Sequence, residues 1–201
     1  MITIVDYGLG NVNAFLNVYR RLNVAARTAT RADDLHDAAK VILPGVGAFD
    51  HAMARLTESG MRSALDDAVL RRRVPLLGVC VGMQMLGRYS DEGRLPGLGW
   101  IEGQVRSLAS VVATRPVPHM GWNDARPIAH EPLFARLESP RFYFLHSYYF
   151  QCDRAEDTIA LADYGGEFAC AVRADNVYGV QFHPEKSHHD GVQLLKNFAE
   201  I

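Results

Sequence analysis

Cysteine, histidine and glutamate together can carry out nucleophilic acyl transfer, and three residues of this chain stand in patterns that suit it: Cys80, His183 and Glu185. Cys80 is the centre of Gly78-Val79-Cys80-Val81-Gly82, which follows the apolar run Pro75 to Val79 and precedes a predicted helix over 81–88. A strand, then Gly-x-Cys-x-Gly, then a helix is the pattern of a nucleophile elbow, with sulfur in place of serine oxygen. The sharp bend forces the nucleophile into a strained, exposed position. Gly78 and Gly82 remove side chains that would collide as the two segments cross. The free N–H groups and positive dipole end of the following helix favour thiolate over thiol. The N–H of Val81 is placed to donate to an oxyanion. Cys152 and Cys170, which lack such flanks, read as structural cysteines.

A thiol nucleophile needs a base, and the base needs an orienting acceptor. His183-Pro184-Glu185 closes a strand predicted over 177–182. Residues i and i+2 of an extended backbone point to the same side, so His183 and Glu185 are expected to project together, with Pro184 stiffening the segment. Taken alone, His183 reads as a satisfied histidine at a strand end; paired with an elbow cysteine it reads as the base. His36, His51 and His130 read as surface residues, and His188 and His189 as the start of the last helix. No His, Asp or Glu set has zinc spacing, so no metal is predicted. Tyr7-Gly8-Leu9-Gly10 lacks the GxGxxG spacing, and no cofactor is predicted.

The elements that must position these groups alternate in the first half. Strands are predicted at 2–6, 24–28, 40–43 and 75–79, with helices at 11–22, 48–56 and 61–71. Strands apolar on both faces between helices imply a parallel sheet covered on both sides. From Gly97 to Asn123, Gly and Pro punctuate short extended pieces. Further strands are expected at 142–145, 158–162 and 168–173, and a closing helix at about 191–198. The reading is one α/β domain over residues 1–201, a three-layer, mixed, mostly parallel sheet with helices on both faces. If the His183 strand lies beside the Cys80 strand, both C-terminal ends open onto the crevice where such sheets bind ligands.

Composition narrows the class. The chain has 201 residues, 48% of them hydrophobic, a net charge of -2 and three cysteines. It has no basic face for nucleic acid; Arg71-Arg72-Arg73 reads as a solvated helix end. The sparse, odd cysteine set is not a disulfide framework. No apolar stretch reaches the ~20 residues of a membrane span, and the first residues lack a signal peptide's pattern. A cytoplasmic protein is expected.

With both motifs in place, the chain resembles the class I glutamine amidotransferases, whose domain is flavodoxin-like. Gly78 to Gln84 is similar to their nucleophile motif and Gly179 to Glu185 to their His–Glu motif. Within that class it resembles the glutaminase subunits of imidazole glycerol phosphate synthases, through Asp6 to Asn11, Pro44 to Phe49, Pro118 to Asn123 and Phe142 to Tyr148. The resemblance implies hydrolysis of glutamine to glutamate and ammonia by Cys80, His183 and Glu185. It implies a second oxyanion donor, a backbone N–H near Val46 or Gly47, in the Gly45-Val46-Gly47 loop, whose glycines allow a peptide plane to flip. It implies that Gln84, His146, Ser147 and Tyr148 hold the amino-acid end of glutamine, with Val81 at the oxyanion. It further implies that Asn11, Met120, Trp122 and Lys186 face a (β/α)8-barrel cyclase subunit in a heterodimer, to which ammonia is channelled in histidine biosynthesis. Read from the residues alone, Trp122 is equally a core residue and Lys186 an ordinary surface charge.

Three other readings compete. Gly10 to Phe15 departs from the Gly-Asn-Leu-Arg-type stretch of the histidine-pathway members, and Leu98-Gly99-Trp100-Ile101 is similar to paralogues that serve sugar amidotransferases in surface-polysaccharide synthesis. A catalytically silent regulatory subunit is opposed by the intact Cys80, His183 and Glu185. A cysteine peptidase is opposed by Gln84 and the His-Pro-Glu pairing.

Overall fold

The computed structural model describes every residue except 113 and 129. Strand β1 (Ile2–Val5) leads through Tyr7–Gly10 to helix α1 (Val12–Arg21), whose N-terminus is capped by Asn11: its side-chain oxygen accepts from the Ala14 N–H at 3.2 Å. Strands β2 (Ala26–Ala29) and β3 (Lys40–Gly45) follow, then helices α2 (Phe49–Glu58) and α3 (Arg62–Asp66). The last helix continues through one π-type turn, Asp67–Arg71, within the predicted 61–71 span. Strand β4 (Leu76–Cys80) runs directly into α4 (Val81–Gln84).

Here the structure departs from expectation: α4 stops at Gln84 rather than Arg88. The N–H groups of Leu86 and Gly87 turn back three residues instead of four, to the Met83 and Gln84 carbonyls at 3.0 and 3.2 Å. The Arg88 N–H donates to the Gly103 carbonyl at 3.0 Å, so the α-helical ladder is not continued; the carbonyls of 85–88 accept from the N–H groups of residues 97–101. Between Gly97 and Asn123 two regular strands emerge, β5 (Gly103–Ser107) and β6 (His119–Asp124), with residue 113 outside the description. The second half adds β7 (Arg126–Pro127), β8 (Arg141–His146), β9 (Tyr148–Cys152), β10 (Thr158–Asp163), β11 (Glu167–Ala174), β12 (Val177–Val180) and helix α5 (His188–Glu200). Strand β9 went unseen in the sequence: Ser147 alone separates it from β8, without a glycine or proline to mark the break.

The main sheet has the order β2-β1-β3-β4-β12-β11-β10-β7, with β9 joined to β11 and β5 to β9. Strands β2, β1, β3, β4 and β12 are mutually parallel; β11 turns the sheet antiparallel. Every residue of β1, β4 and β12 is buried, as expected of strands covered on both faces. Helix α1 packs against α5, where the Tyr19 hydroxyl donates to the Leu195 carbonyl at 3.1 Å. Strands β6 and β8 form a separate two-stranded ribbon, pairing His119 with His146 and Trp122 with Tyr143.

The consequence for function lies in one registration. Strand β12 is the parallel neighbour of β4, with Gly179 opposite Gly78 and Val180 opposite Val79. The chain segments that leave these two strands at their C-terminal ends carry Cys80 and His183.

Candidate active site

At Cys80 the backbone adopts φ 56°, ψ −114°, a left-handed conformation that costs a non-glycine residue of order 1–3 kcal/mol. The surrounding packing holds it there. A Cβ on Gly82 would lie 2.0 Å from the Leu43 carbonyl oxygen, and one on Gly45 would lie 2.3 Å from the Gly82 nitrogen. Strands β3 and β4 and the first turn of α4 therefore approach at backbone contact. Gly78 fits the same way, its missing Cβ 2.7 Å from the Gly82 carbonyl oxygen. The glycines do more than clear the bend: they weld it to β3. The Cys80 side chain is 5% exposed. Its sulfur lies 3.9 Å from the Leu145 carbonyl and 3.9 Å from Gln181 Nε2.

His183 Nδ1 meets Glu185 Oε1 at 2.9 Å, with the two side chains only 5% and 3% exposed. The expected reason for this contact was strand alternation, and it does not hold. Strand β12 ends at Val180, and Pro184–Lys186 form one turn of 3₁₀ helix. Proline at the first position of that turn carries no N–H to satisfy, and the tight turn brings Glu185 back over the imidazole. His183 and Cys80 line the same cleft, close enough for the charge of the sulfur to act on the imidazole. Burial pushes the His183 imidazolium down. The interaction with Cys80, the hydrogen bond to Glu185 and the charges of both outweigh burial and raise it to about 9. The carboxylate and the sulfur on either side of His183 therefore favour its charged form.

Both groups open onto one cleft of about 330 Å³. Val46, Gly47, Val81, Gln84, His146, Ser147, Tyr148 and Lys186 also line it. Gly45 does not; it is buried beneath the Gly82 amide. Gly47 has φ +82° and open space where a Cβ would be, so its peptide is unhindered. Gln84 and His146 turn inward: Gln84 Nε2 donates to the Tyr148 carbonyl at 3.2 Å, and His146 Nδ1 lies 2.8 Å from the same oxygen. Asn11 is exposed and lies outside the cleft wall. Among the described residues no group of three or more His, Cys, Asp or Glu is arranged to hold a metal ion. No helix among them is long and apolar enough to cross a membrane.

Next to the cleft lies an apolar patch. Met120 is 65% exposed, Trp122 42% and Leu145 40%, so Trp122 is not a core residue. Its indole stacks on His188 at 5.2 Å and meets the Tyr143 ring edge-on at 6.2 Å. Lys186 Nζ sits 6.0 Å from the centre of that tyrosine ring.

The sequence did not single out Glu92, which lines the cleft with Pro118 and Leu145, or Gln181, which lies behind the sulfur. Glu92 lies in an irregular loop, where no periodicity marks it; its Oε2 accepts from the Phe49 N–H at 2.9 Å, at the start of α2. Gln181 is wholly buried against the sulfur. The two-residue spacing that joins His183 to Glu185, counted backward from His183, points to it.

Comparison with known proteins agrees with the fold and the motifs. Residues 3–201 match the family model for "Glutamine amidotransferase class-I". The chain is 58% identical to the imidazole glycerol phosphate synthase subunit HisH of Bdellovibrio bacteriovorus, over the full length of both. It is 50% identical to HisH of Leptospira interrogans and 46% to HisH 2 of Pseudomonas aeruginosa, again over both full lengths. A crystal structure of a glutamine amidotransferase superposes with a TM-score of 0.76 at 19% identity, covering 98% of each chain. The structure of PurLQS from Thermotoga maritima gives 0.74 at 16% identity, with 99% of this chain and 97% of that one covered; these two likenesses speak for the fold alone. The chain belongs to the class I glutamine amidotransferases, and within them to the HisH subunits.

Proposed function

We propose that this chain is the glutaminase of an imidazole glycerol phosphate synthase, with Cys80 as nucleophile, His183 as proton carrier and Glu185 as its orienter. The observation that carries this is the shared cleft, onto which a strained sulfur and an imidazole held by a buried carboxylate both open.

In this scheme the Cys80 thiolate attacks the side-chain carbonyl carbon of glutamine. The C–S bond forms as the carbonyl π pair moves to oxygen. The N–H of Val81 and one N–H of the Gly45–Gly47 loop hold that oxyanion. Collapse breaks the C–N bond, and His183 gives its proton to the departing nitrogen, releasing ammonia. A γ-glutamyl thioester remains. Water then attacks it while His183 takes up a proton, and the C–S bond breaks to give glutamate and free enzyme. Glu185 keeps Nδ1 protonated throughout, so that Nε2 does the exchange. Glu92, the acidic side chain on the outer cleft wall, suits the α-ammonium group of glutamine. Ser147 and the Tyr148 backbone suit its carboxylate end.

The exposed Met120, Trp122 and Leu145 beside the cleft suit docking of a (β/α)8-barrel cyclase. A closed interface there keeps ammonia from protonating in water on its way to the acceptor. The protein then works in the cytoplasm, in histidine biosynthesis. The numbered names among the relatives, such as HisH 2 of P. aeruginosa, motivate a second reading, in which the ammonia goes to a sugar amidotransferase of surface-polysaccharide synthesis.

Glutamine turnover measured with and without a purified barrel cyclase and its nucleotide ligand tests the proposal. Weak turnover alone and a large rise with both are expected. Equal turnover in the two states removes the coupled part of the account, and stimulation only by a sugar amidotransferase selects the second reading.

A further inference from the structure

A chain of hydrogen bonds runs from the exposed edge of β6 to the sulfur of Cys80, and its direction is fixed at its middle. The Tyr148 carbonyl can only accept. It meets His146 Nδ1 at 2.8 Å and Gln84 Nε2 at 3.2 Å, so both nitrogens carry hydrogen. On the histidine arm, His146 Nε2 is then an acceptor, and His119 Nδ1, 3.0 Å away, is its donor. His119 Nε2 in turn accepts from Asn123 Nδ2 at 3.3 Å, which also donates to the Asp163 carbonyl at 2.8 Å. Burial pushes His146 down to about 3 and His119 down to about 4, so both rings are neutral at pH 7, as this proton assignment requires. On the glutamine arm, Gln84 Nε2 donates to Gln181 Oε1 at 3.1 Å. With its oxygen used in this way, Gln181 presents Nε2 to the sulfur at 3.9 Å.

Gln181 is 0% exposed and has no part in the reaction scheme above. A glutamine confined there could face the sulfur with either end; the Tyr148 carbonyl, acting through Gln84, selects the nitrogen. We propose that Gln181 is a positioning residue for the reaction: its side-chain N–H holds the Cys80 sulfur as thiolate beside His183, and the buried Gln84–Tyr148–His146–His119 chain sets which end of its amide faces that sulfur. A donor to the charged form of a group favours that form. The inference rests on Cys80 being the nucleophile. The titratable and charged groups around the sulfur are Tyr7 after β1, His146 at the end of β8, His183 and Glu185 after β12, and Glu92 and Lys186 on the cleft wall. All of them stay in place in the variants below.

The test is alkylation of Cys80 by iodoacetamide in the full chain, followed by mass spectrometry from pH 5 to 10, for the parent, Gln181→Glu and Gln181→Met. Glutamate keeps an acceptor for Gln84 but turns a carboxylate oxygen, not a donor, toward the sulfur. Methionine removes both groups at similar length. The pH of half-maximal alkylation is expected to rise by about one unit or more in Gln181→Glu and by less in Gln181→Met, as loss of one donor to a thiolate implies. For glutamine hydrolysis, kcat should fall with KM little changed. A merely structural role would lower the melting temperature and leave the midpoints where they were; unmoved midpoints overturn the proposal. A further measurement needs no variant. In the unmodified chain labelled with ¹⁵N-glutamine, the Gln181 side-chain amide protons should titrate with the same midpoint as alkylation, and their indifference to pH would equally overturn it. Alkylation reads the sulfur without glutamine, so failure of the glutaminase reading appears separately, as absent turnover with a normal alkylation profile.

Discussion

The elbow and the β6–β8 ribbon meet at the same cleft but are built by opposite means. At the elbow, backbones touch: Gly45, Gly78 and Gly82 stand where any Cβ would overlap a main-chain atom. The bend at Cys80 is held by backbone-to-backbone contact and leaves no room for a side chain at these three positions. In the ribbon, two strands pair only with each other, and rings do the packing: Trp122 on His188, His119 against Phe144 at 4.7 Å and Tyr164 at 4.0 Å. Its outer face exposes Met120, Trp122 and Leu145. A site for bond-making needs atoms fixed to a fraction of an ångström. A docking surface needs area and shape, which side chains supply and which can be exchanged one at a time.

Substitutions should separate the two regions by the size and kind of their effects. Cys80→Ala should lower glutamine turnover by a factor of about 10⁵ or more, to background, with the melting temperature retained; steady-state kinetics and calorimetry check both halves. Gly82→Ala should instead strike the fold, because its Cβ would sit 2.0 Å from the Leu43 oxygen; a loss of about 3 kcal/mol or more in urea unfolding, or failure to accumulate as soluble protein, is expected. Glu185→Gln keeps the shape but removes the charge that orients His183, and should lower kcat by a factor of about 10² to 10⁴.

In the ribbon the expected effects are smaller. Trp122→Ala should weaken association with the cyclase by about 1–2 kcal/mol, roughly tenfold in Kd by titration calorimetry, with the chain's own melting temperature nearly unchanged. The last effect, on stability and not on activity, is a pH dependence. His146 and His119 titrate in the folded chain at about 3 and about 4, below the ordinary histidine value of 6.5. Between those values the unfolded chain binds protons that the folded chain does not, so stability should fall as pH drops from about 6.5 toward 3. A melting temperature lower by roughly 10 °C or more at pH 4.5 than at pH 7 is expected, with a flatter acid limb in His119→Gln.

The same contrast explains what could be read from the residues. The elbow was legible because its logic is local: two glycines, a cysteine and an apolar strand lie within eight residues, and each has a steric reason to be there. A parallel sheet followed from strands apolar on both faces, but the pairing of β4 with β12 entered only as a condition, which the register of Gly179 on Gly78 meets. His183 and Glu185 were found together, though the contact is made by a 3₁₀ turn and not by pleating. The strand argument named the right pair for a reason the backbone does not use: His183 is the extended residue before the turn, and the turn itself carries Glu185 to it. The early end of α4 was not legible, because the N–H that would continue the ladder, that of Arg88, is taken by the Gly103 carbonyl from across the chain. Neither was Glu92, which a loop delivers, nor the His119–His146 pair, which exists only through the registration of β6 on β8. Long-range pairing leaves no periodic mark in a single sequence.

Labelling with a glutamine-like electrophile such as 6-diazo-5-oxo-norleucine, followed by peptide mapping, tests the central claim most directly. The account predicts one adduct, on Cys80, protectable by glutamine and formed far more slowly in His183→Ala. Labelling of Cys152 or Cys170 instead, or a rate at Cys80 indifferent to the loss of His183, would contradict it.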